Sequence, residues 1–262
     1  MTDNAILTEL RDGGAAILTI NRPSALNALD TDTLHAFADA FRNLEADENV
    51  RVIIITGAGD RSFVAGGDIG DLNSRQGLAH YEQLAETLHK TFRMVETSDK
   101  PTIAAVNGWA LGGGTELILC TDIRLVAENA KLGLPEIKLG LFPGAGGTQR
   151  LIRQLPLCRA KEMMFTGEPI TAREAVDLGL ANRVVSSSAL IDDAVELAQA
   201  IGAKSPLVLK LLKRTLLAGA DMPLSAALAH EQAMIGLVLD SSDAHEGCSA
   251  FLAKRPAQFT GS

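Results

Sequence analysis

An α/β core followed by a helical C-terminal region is the fold class this chain predicts, and three observations predict it. Short runs rich in β-branched residues recur, each closed by a turn. Stretches with helical apolar spacing alternate with those runs. Beyond about residue 200 the strand signals give way to helical ones.

Taken in order, Ala15–Ile20 reads as a buried strand closed by Asn21-Arg22-Pro23, and Val52–Thr56 as another closed by Gly57-Ala58-Gly59. Between them Thr31–Glu45 places Leu34, Phe37, Ala38 and Phe41 on one helical face, with Asp30 or Thr31 as its N-cap. Leu78–Val95 is a second amphipathic helix, and Thr102–Val106 a strand ending at Asn107-Gly108. Glu116–Cys120 reads as a buried helix entered through a triple glycine. Leu190–Ala203, Pro206–Ala218, Leu224–Leu239 and Ser242–Lys254 complete the chain as helices. The expected division is therefore an α/β core over residues 1–200 and a helical region over 201–262. Leu224, Ala227, Leu228, Met234 and Leu237 pack either on the core or on another subunit.

Composition narrows the function classes. A chain of 262 residues with 47% hydrophobic and 21% charged residues suits a soluble globular protein. A formal net charge of −8 leaves no basic footprint, so no nucleic-acid partner is expected. Long-range steering of a polyanion is equally weak, so any phosphates need local contacts. Cys120, Cys158 and Cys248 are scattered and odd in number, as expected of reduced thiols in a cytoplasmic protein. The start MTDNAILTEL is acidic and carries no signal-peptide pattern. No apolar run approaches the ~18 residues of a membrane span, so no membrane partner is expected.

Common cofactor and nucleophile signatures are incomplete or missing in the sequence. Gly57-Ala-Gly59 finds Ser62, and Gly144-Ala-Gly146 finds Gln149, where a dinucleotide fingerprint needs glycine. There is no Walker-type loop and no G-x-S-x-G elbow. His35, His80, His89, His230 and His245 lack metal-ligand spacing, and no metal is expected.

What remains is bare backbone beside acids. Gly66 and Gly67 lie in the loop SFVAGGDIGDL, and Gly112, Gly113 and Gly114 precede Glu116. First-turn amides of a helix have no intrahelical acceptor and suit an oxygen that becomes negative. Taken alone, either loop is more often a tight turn or a close helix contact. Glu136 follows in a Leu-Pro-Glu loop, and Pro143-Gly144-Ala145-Gly146-Gly147 comes next. Two acids near such amides suit chemistry that makes an oxyanion and moves protons around it.

The same residues resemble a family. Asn21-Arg22-Pro23, Asn27-Ala28-Leu29, Phe63-Val64-Ala65-Gly66-Gly67-Asp68 and Ala104-Ala105-Val106-Asn107-Gly108 are similar to motifs of the crotonase (enoyl-CoA hydratase/isomerase) superfamily. So are Gly112-Gly113-Gly114-Thr115-Glu116, Pro143–Leu151, Gly179-Leu180-Ala181 and Lys254-Arg255-Pro256, so that the likeness spans nearly the whole chain in order. It implies a spiral of repeated ββα units with a helical C-terminal region, assembled as trimers or paired trimers. It also implies an acyl-CoA thioester substrate whose CoA is not a separate cofactor. The implied oxyanion donors are the Gly67 and Gly113 amides, and the loop Ala65, Gly67, Asp68, Ile69 and Gly70 is implied to line the acyl-CoA with Gly113.

Within that family, hydratases carry acids at the positions of Glu116 and Glu136. The resemblance thus implies enoyl-CoA hydratase activity, a reversible syn addition of water in fatty-acid or related acyl-CoA degradation. Glu116 would activate water and Glu136 protonate Cα. Gly144 either places its amide near that water or simply makes a turn. An enoyl-CoA isomerase or a specialised dehydratase is the alternative; a non-catalytic or RNA-binding member fits the acidic charge poorly. Ser24 stands where many relatives carry lysine, and Leu134 where some hydratases carry a polar residue. Lys254 with Phe251 or Phe259 approaches a neighbouring subunit's CoA or simply ends a helix.

Overall fold

The order in which the aliphatic runs pair decides where the glycine loops meet. The computed structural model describes residues 4–74, 77 and 84–262. β1 (Ile6–Arg11) and β2 (Ala15–Ile20) form an antiparallel hairpin. From β2 the sheet continues in parallel through β3 (Val52–Gly57), β5 (Thr102–Val106), β7 (Ile123–Ala127) and β10 (Arg183–Val185). A second sheet orders β4 (Ser62–Val64), β6 (Trp109–Leu111), β8 (Lys131–Gly133) and β9 (Ile170–Thr171).

One plan repeats. β3, β5 and β7 each enter the large sheet, and β4, β6 and β8 follow them into the small one. A helix comes after each pair: Glu86–Thr97, Gly113–Ile118 and Gly147–Gln154. This is the spiral of ββα units the resemblance implies. Because every unit turns at the same end of the small sheet, the loops after β4, β6 and β8 are stacked side by side. β3 and β5 are buried along their whole length, as fully covered parallel strands should be.

The helices follow their sequence signals closely. Thr31–Ala46 is capped by Asp30, whose side chain accepts from the Thr33 amide at 2.8 Å. Its Phe37 and Phe41 rings stack 6.1 Å apart within the core. The helix expected over Leu78–Val95 is described as Glu86–Thr97, while residues 78–83, His80 among them, lie outside the described residues. The buried helix starts at Gly113 and ends at Ile118, so only Gly112 precedes it. The last helix stops at Leu252 instead of Lys254, because Lys254 takes a left-handed φ of 54° just ahead of Arg255-Pro256.

Three helices, Pro206–Ala220, Leu224–Leu239 and Ser242–Leu252, close the chain. The first is tied to the core by Lys213, buried and 2.7 Å from Asp122, and by Lys210 and Arg214 on Asp99. Leu224–Leu239 buries none of its residues, and Leu224, Leu228, Leu237 and Leu239 are all exposed.

Candidate active site

The first glycine loop leaves β4 and is strapped to the segment before helix Thr31–Ala46. Ala65 donates to the Leu26 carbonyl at 3.1 Å, Leu29 to Gly66 at 2.8 Å, and Asp68 to Leu29 at 2.9 Å. That pattern skips Gly67, whose amide has no acceptor among the described residues. Gly66 takes a φ of +111°, which a side chain rarely allows. The Asp68 carboxylate caps Ile69–Asn73 through the amides of Gly70 and Asp71, at 3.0 and 3.3 Å. It also pairs with Arg22, which bridges to Asp30. Asp68 therefore shapes the loop with its side chain, and Ile69 stands exposed on the rim.

The second loop leaves β6. Gly112 donates to the Gly133 carbonyl at 2.9 Å, and Thr115 both donates to Ala110 and accepts from the Gly133 amide. These bonds lock the helix start to β8 and therefore to the segment leading into Glu136. A β-carbon built on Gly113 would lie 3.6 Å from the Gly67 nitrogen, so the two bare amides are neighbours. At Gly112 a β-carbon would fall 2.9 Å from Glu136 Oε1, which makes glycine there a condition of the acid's position.

Glu116 is 3% exposed. Its Oε1 accepts from the amides of Ala145 and Gly147 at 2.7 and 2.8 Å. Burial pushes its carboxyl above the usual range, opposed by those two amides and the charge of Arg150. Arg150 is gripped by both carboxylate oxygens of Glu96, at 2.7 and 2.8 Å, and reaches the Ala145 carbonyl at 3.1 Å.

Glu136 sits in a 3-10 turn, Pro135–Leu139, closed by Gly140 in the left-handed region. Its Oε2 is buried and has no hydrogen-bond partner among the described residues. Desolvation, with the Glu116 charge adding to it, pushes its pKa up to about 7 against a bond to its own backbone. Ile137, Leu139, Leu141 and Phe142 leave large apolar surfaces exposed just beyond it.

The structure thus brings Gly67, Gly113, Glu116 and Glu136 together, with Ala65–Gly70 along one side and Gly144 opening the turn on the other. Leu134, buried, packs and does not face Glu136 with a polar group. Phe251 is exposed at the far end of the chain, on the last helix. Sequence reasoning missed Ala145, Gly147, Arg150 and Glu96. The Pro-Gly-Ala-Gly-Gly run signalled the first two; the Glu96–Arg150 pairing joins helices 54 residues apart and leaves no local trace. Among the described residues no group of three or more His, Cys, Asp or Glu side chains could hold a metal ion. No described helix is long and apolar enough to cross a membrane.

Comparison with known proteins decides the family, since residues 11–262 match the model of the enoyl-CoA hydratase/isomerase family. The chain belongs to that family. A short-chain-enoyl-CoA hydratase of Clostridium acetobutylicum is 41% identical over 252 residues, covering 96% of each chain. A crotonyl-CoA hydratase of Syntrophomonas wolfei is 43% identical, covering 93% of this chain and 94% of that one. The crystal structure of an enoyl-CoA hydratase from Bacillus anthracis superposes with a TM-score of 0.95 at 36% identity, over 98% of this chain and all of its own. The crotonase fold of this family is therefore the fold of this chain.

Proposed function

We propose that the protein is an enoyl-CoA hydratase, adding water reversibly across the double bond of a 2-trans-enoyl-CoA to give the 3-hydroxyacyl-CoA. The observation that carries the reading is the contrast between two buried acids. Burial raises both carboxyls, but one oxygen of Glu116 is held by two amides that oppose the rise, whereas Glu136 has an unpartnered buried oxygen and is pushed up to about 7. Amides that hold a carboxylate suit a base, and a buried oxygen without a partner suits an acid that keeps its proton until it is delivered.

In this reading Oε1 of Glu116 is anchored and its other oxygen takes a proton from water as that water attacks Cβ. Electrons move to the thioester oxygen, which the Gly67 and Gly113 amides stabilise as the enolate forms. Glu136 then delivers its proton to Cα. Each acid contributes on the order of 10²–10⁴-fold, and the oxyanion donors a comparable or larger factor. The backbone of Ala65–Gly70 and Gly144 frames the acyl-CoA, and the exposed apolar residues after Glu136 suit an acyl chain. CoA enters as part of the substrate, with no separate cofactor in the scheme. Isomerisation needs a single acid–base group, so the second acid favours hydration.

The helical region over 201–262 serves assembly into trimers or hexamers, supported by the exposed leucines of Leu224–Leu239. Free cysteines fit a cytoplasmic setting. Reversible hydration of an enoyl-CoA fits a role in fatty-acid or related acyl-CoA degradation. A spectrophotometric assay on crotonyl-CoA and longer enoyl-CoAs tests the activity. Loss of the enoyl absorbance with saturable kinetics is expected; no turnover on any chain length would reject the reading.

A further inference from the structure

We infer that Glu96 and Arg150 are positioning residues for Glu116: their ion pair fixes the Ala145 peptide unit whose N–H holds that carboxylate. The inference rests on the reading of Glu116 as the base.

Ala145 is gripped from two sides. Its N–H donates to Glu116 Oε1 at 2.7 Å, while its carbonyl accepts from Arg150 Nη1 at 3.1 Å. The guanidinium is itself aimed by Glu96, which takes Nε at 2.7 Å and Nη2 at 2.8 Å in a fork that a lysine cannot reproduce. The contact is built into the backbone as well. Gly146 takes a φ of +103°, and a β-carbon there would fall 2.0 Å from Arg150 Nη1. Any other residue at 146 would push the arginine away from the turn. Glu96 reaches this point from helix Glu86–Thr97 and Arg150 from helix Gly147–Gln154, so the pair also ties two units of the spiral to the acid between them.

Besides holding the turn, Arg150 supplies the positive charge that offsets the burial of Glu116. The other charged or titratable groups facing this region are Glu136 from the 3-10 turn, the Cys120 thiol one turn along on the Glu116 carbonyl, Arg124 behind that thiol, and Glu96 itself. None of these is, like Arg150, both a cation acting on Glu116 and a partner of the turn that holds it. A small loss of aim at a reacting group can cost about 10²-fold in rate.

The test compares Arg150→Gln, Arg150→Lys and Glu96→Gln with the wild type, each checked for fold by circular dichroism. The first readout is the titration of the Glu116 carboxyl by carbon-13 NMR, its signal assigned through Glu116→Gln. It needs no substrate. Removing the cation in Arg150→Gln should raise the Glu116 pKa above its wild-type value, and Arg150→Lys should raise it less. The second readout is crotonyl-CoA kinetics: kcat should fall about 10–100-fold in Arg150→Gln with KM within about twofold, and Glu96→Gln should lose part of that. Adding Arg150→Gln to Glu116→Gln should cost little further, because the pair acts through the missing carboxylate. A titration shift in a protein that hydrates no enoyl-CoA of any chain length supports the positioning role and rejects the hydratase reading. If Arg150→Gln does not fold, Glu96→Gln and Arg150→Lys carry both readouts. A folded variant of the pair with unchanged Glu116 titration and unchanged kcat would overturn the inference.

Discussion

The backbone nitrogen of Gly147 lies 2.8 Å from Oε1 of Glu116, and the glycine is as necessary to that contact as the amide. A β-carbon at position 147 would stand 2.9 Å from both Cγ and Oε1 of Glu116 and 2.9 Å from the Pro143 side chain. Gly147→Ala should therefore displace the carboxylate and lower kcat by about 10–100-fold with little change in KM. Steady-state kinetics on crotonyl-CoA with a matching circular dichroism spectrum checks it; wild-type kcat in the folded variant would show that the close fit at 147 is not needed.

Gly113 permits a cleaner test of the oxyanion site than most backbone positions. It is the first residue of its helix, where proline is tolerated because the N–H has no helical acceptor. Gly113→Pro should keep the fold, remove one donor and reduce kcat by at least about 10²-fold. Normal hydration by a folded Gly113→Pro enzyme would put the oxyanion site elsewhere.

The raised carboxyl of Glu136 also predicts how stability depends on pH. Its pKa moves from 4.5 to about 7 on folding, so between those values the folded chain holds more protons than the unfolded one. Stability contributed by this site is then complete at the acidic end and is lost as pH rises towards 7. Glu136→Gln is neutral throughout and escapes that loss. Its Tm relative to wild type should rise from about pH 5 to about pH 8, where a calorimetric series would detect a flat difference if Glu136 titrated normally.

Assembly makes a further prediction. Leu224 is 74% exposed and Leu239 63%, on a helix with no buried residue in the single chain. Sedimentation should find a trimer or hexamer at micromolar concentration, and Leu224→Glu with Leu228→Glu should shift it to smaller species. A fully active monomer would remove the assembly role of this helix.

Much of this was legible in the sequence because the signals are local. The aliphatic runs of β2 and β5 coincide with their strands, and the apolar spacing of Leu224–Leu239 with its helix. The glycine loops and both acids stood out as residue types with little reason to coincide. β1 escaped notice because five of its six residues are exposed, which leaves no alternation to read. β4, β6 and β8 have three residues each, too few for any period, yet their pairing is what stacks the glycine loops and the Glu136 turn. The amides on Glu116 come from a turn 29 and 31 residues away, and only the fold shows which of several glycines supplies them.

Hydration depends on Glu116 and Glu136 acting as base and acid, and product analysis in deuterium oxide probes both roles at once. Wild-type enzyme should convert crotonyl-CoA to 3-hydroxybutyryl-CoA carrying one solvent-derived deuterium at Cα, as expected if Glu136 delivers a solvent-exchangeable proton there. Glu116→Gln and Glu136→Gln should each form that product at least about 10²-fold more slowly with KM little changed. A product with the double bond moved and no hydroxyl at Cβ, or full activity in either variant, would contradict those roles.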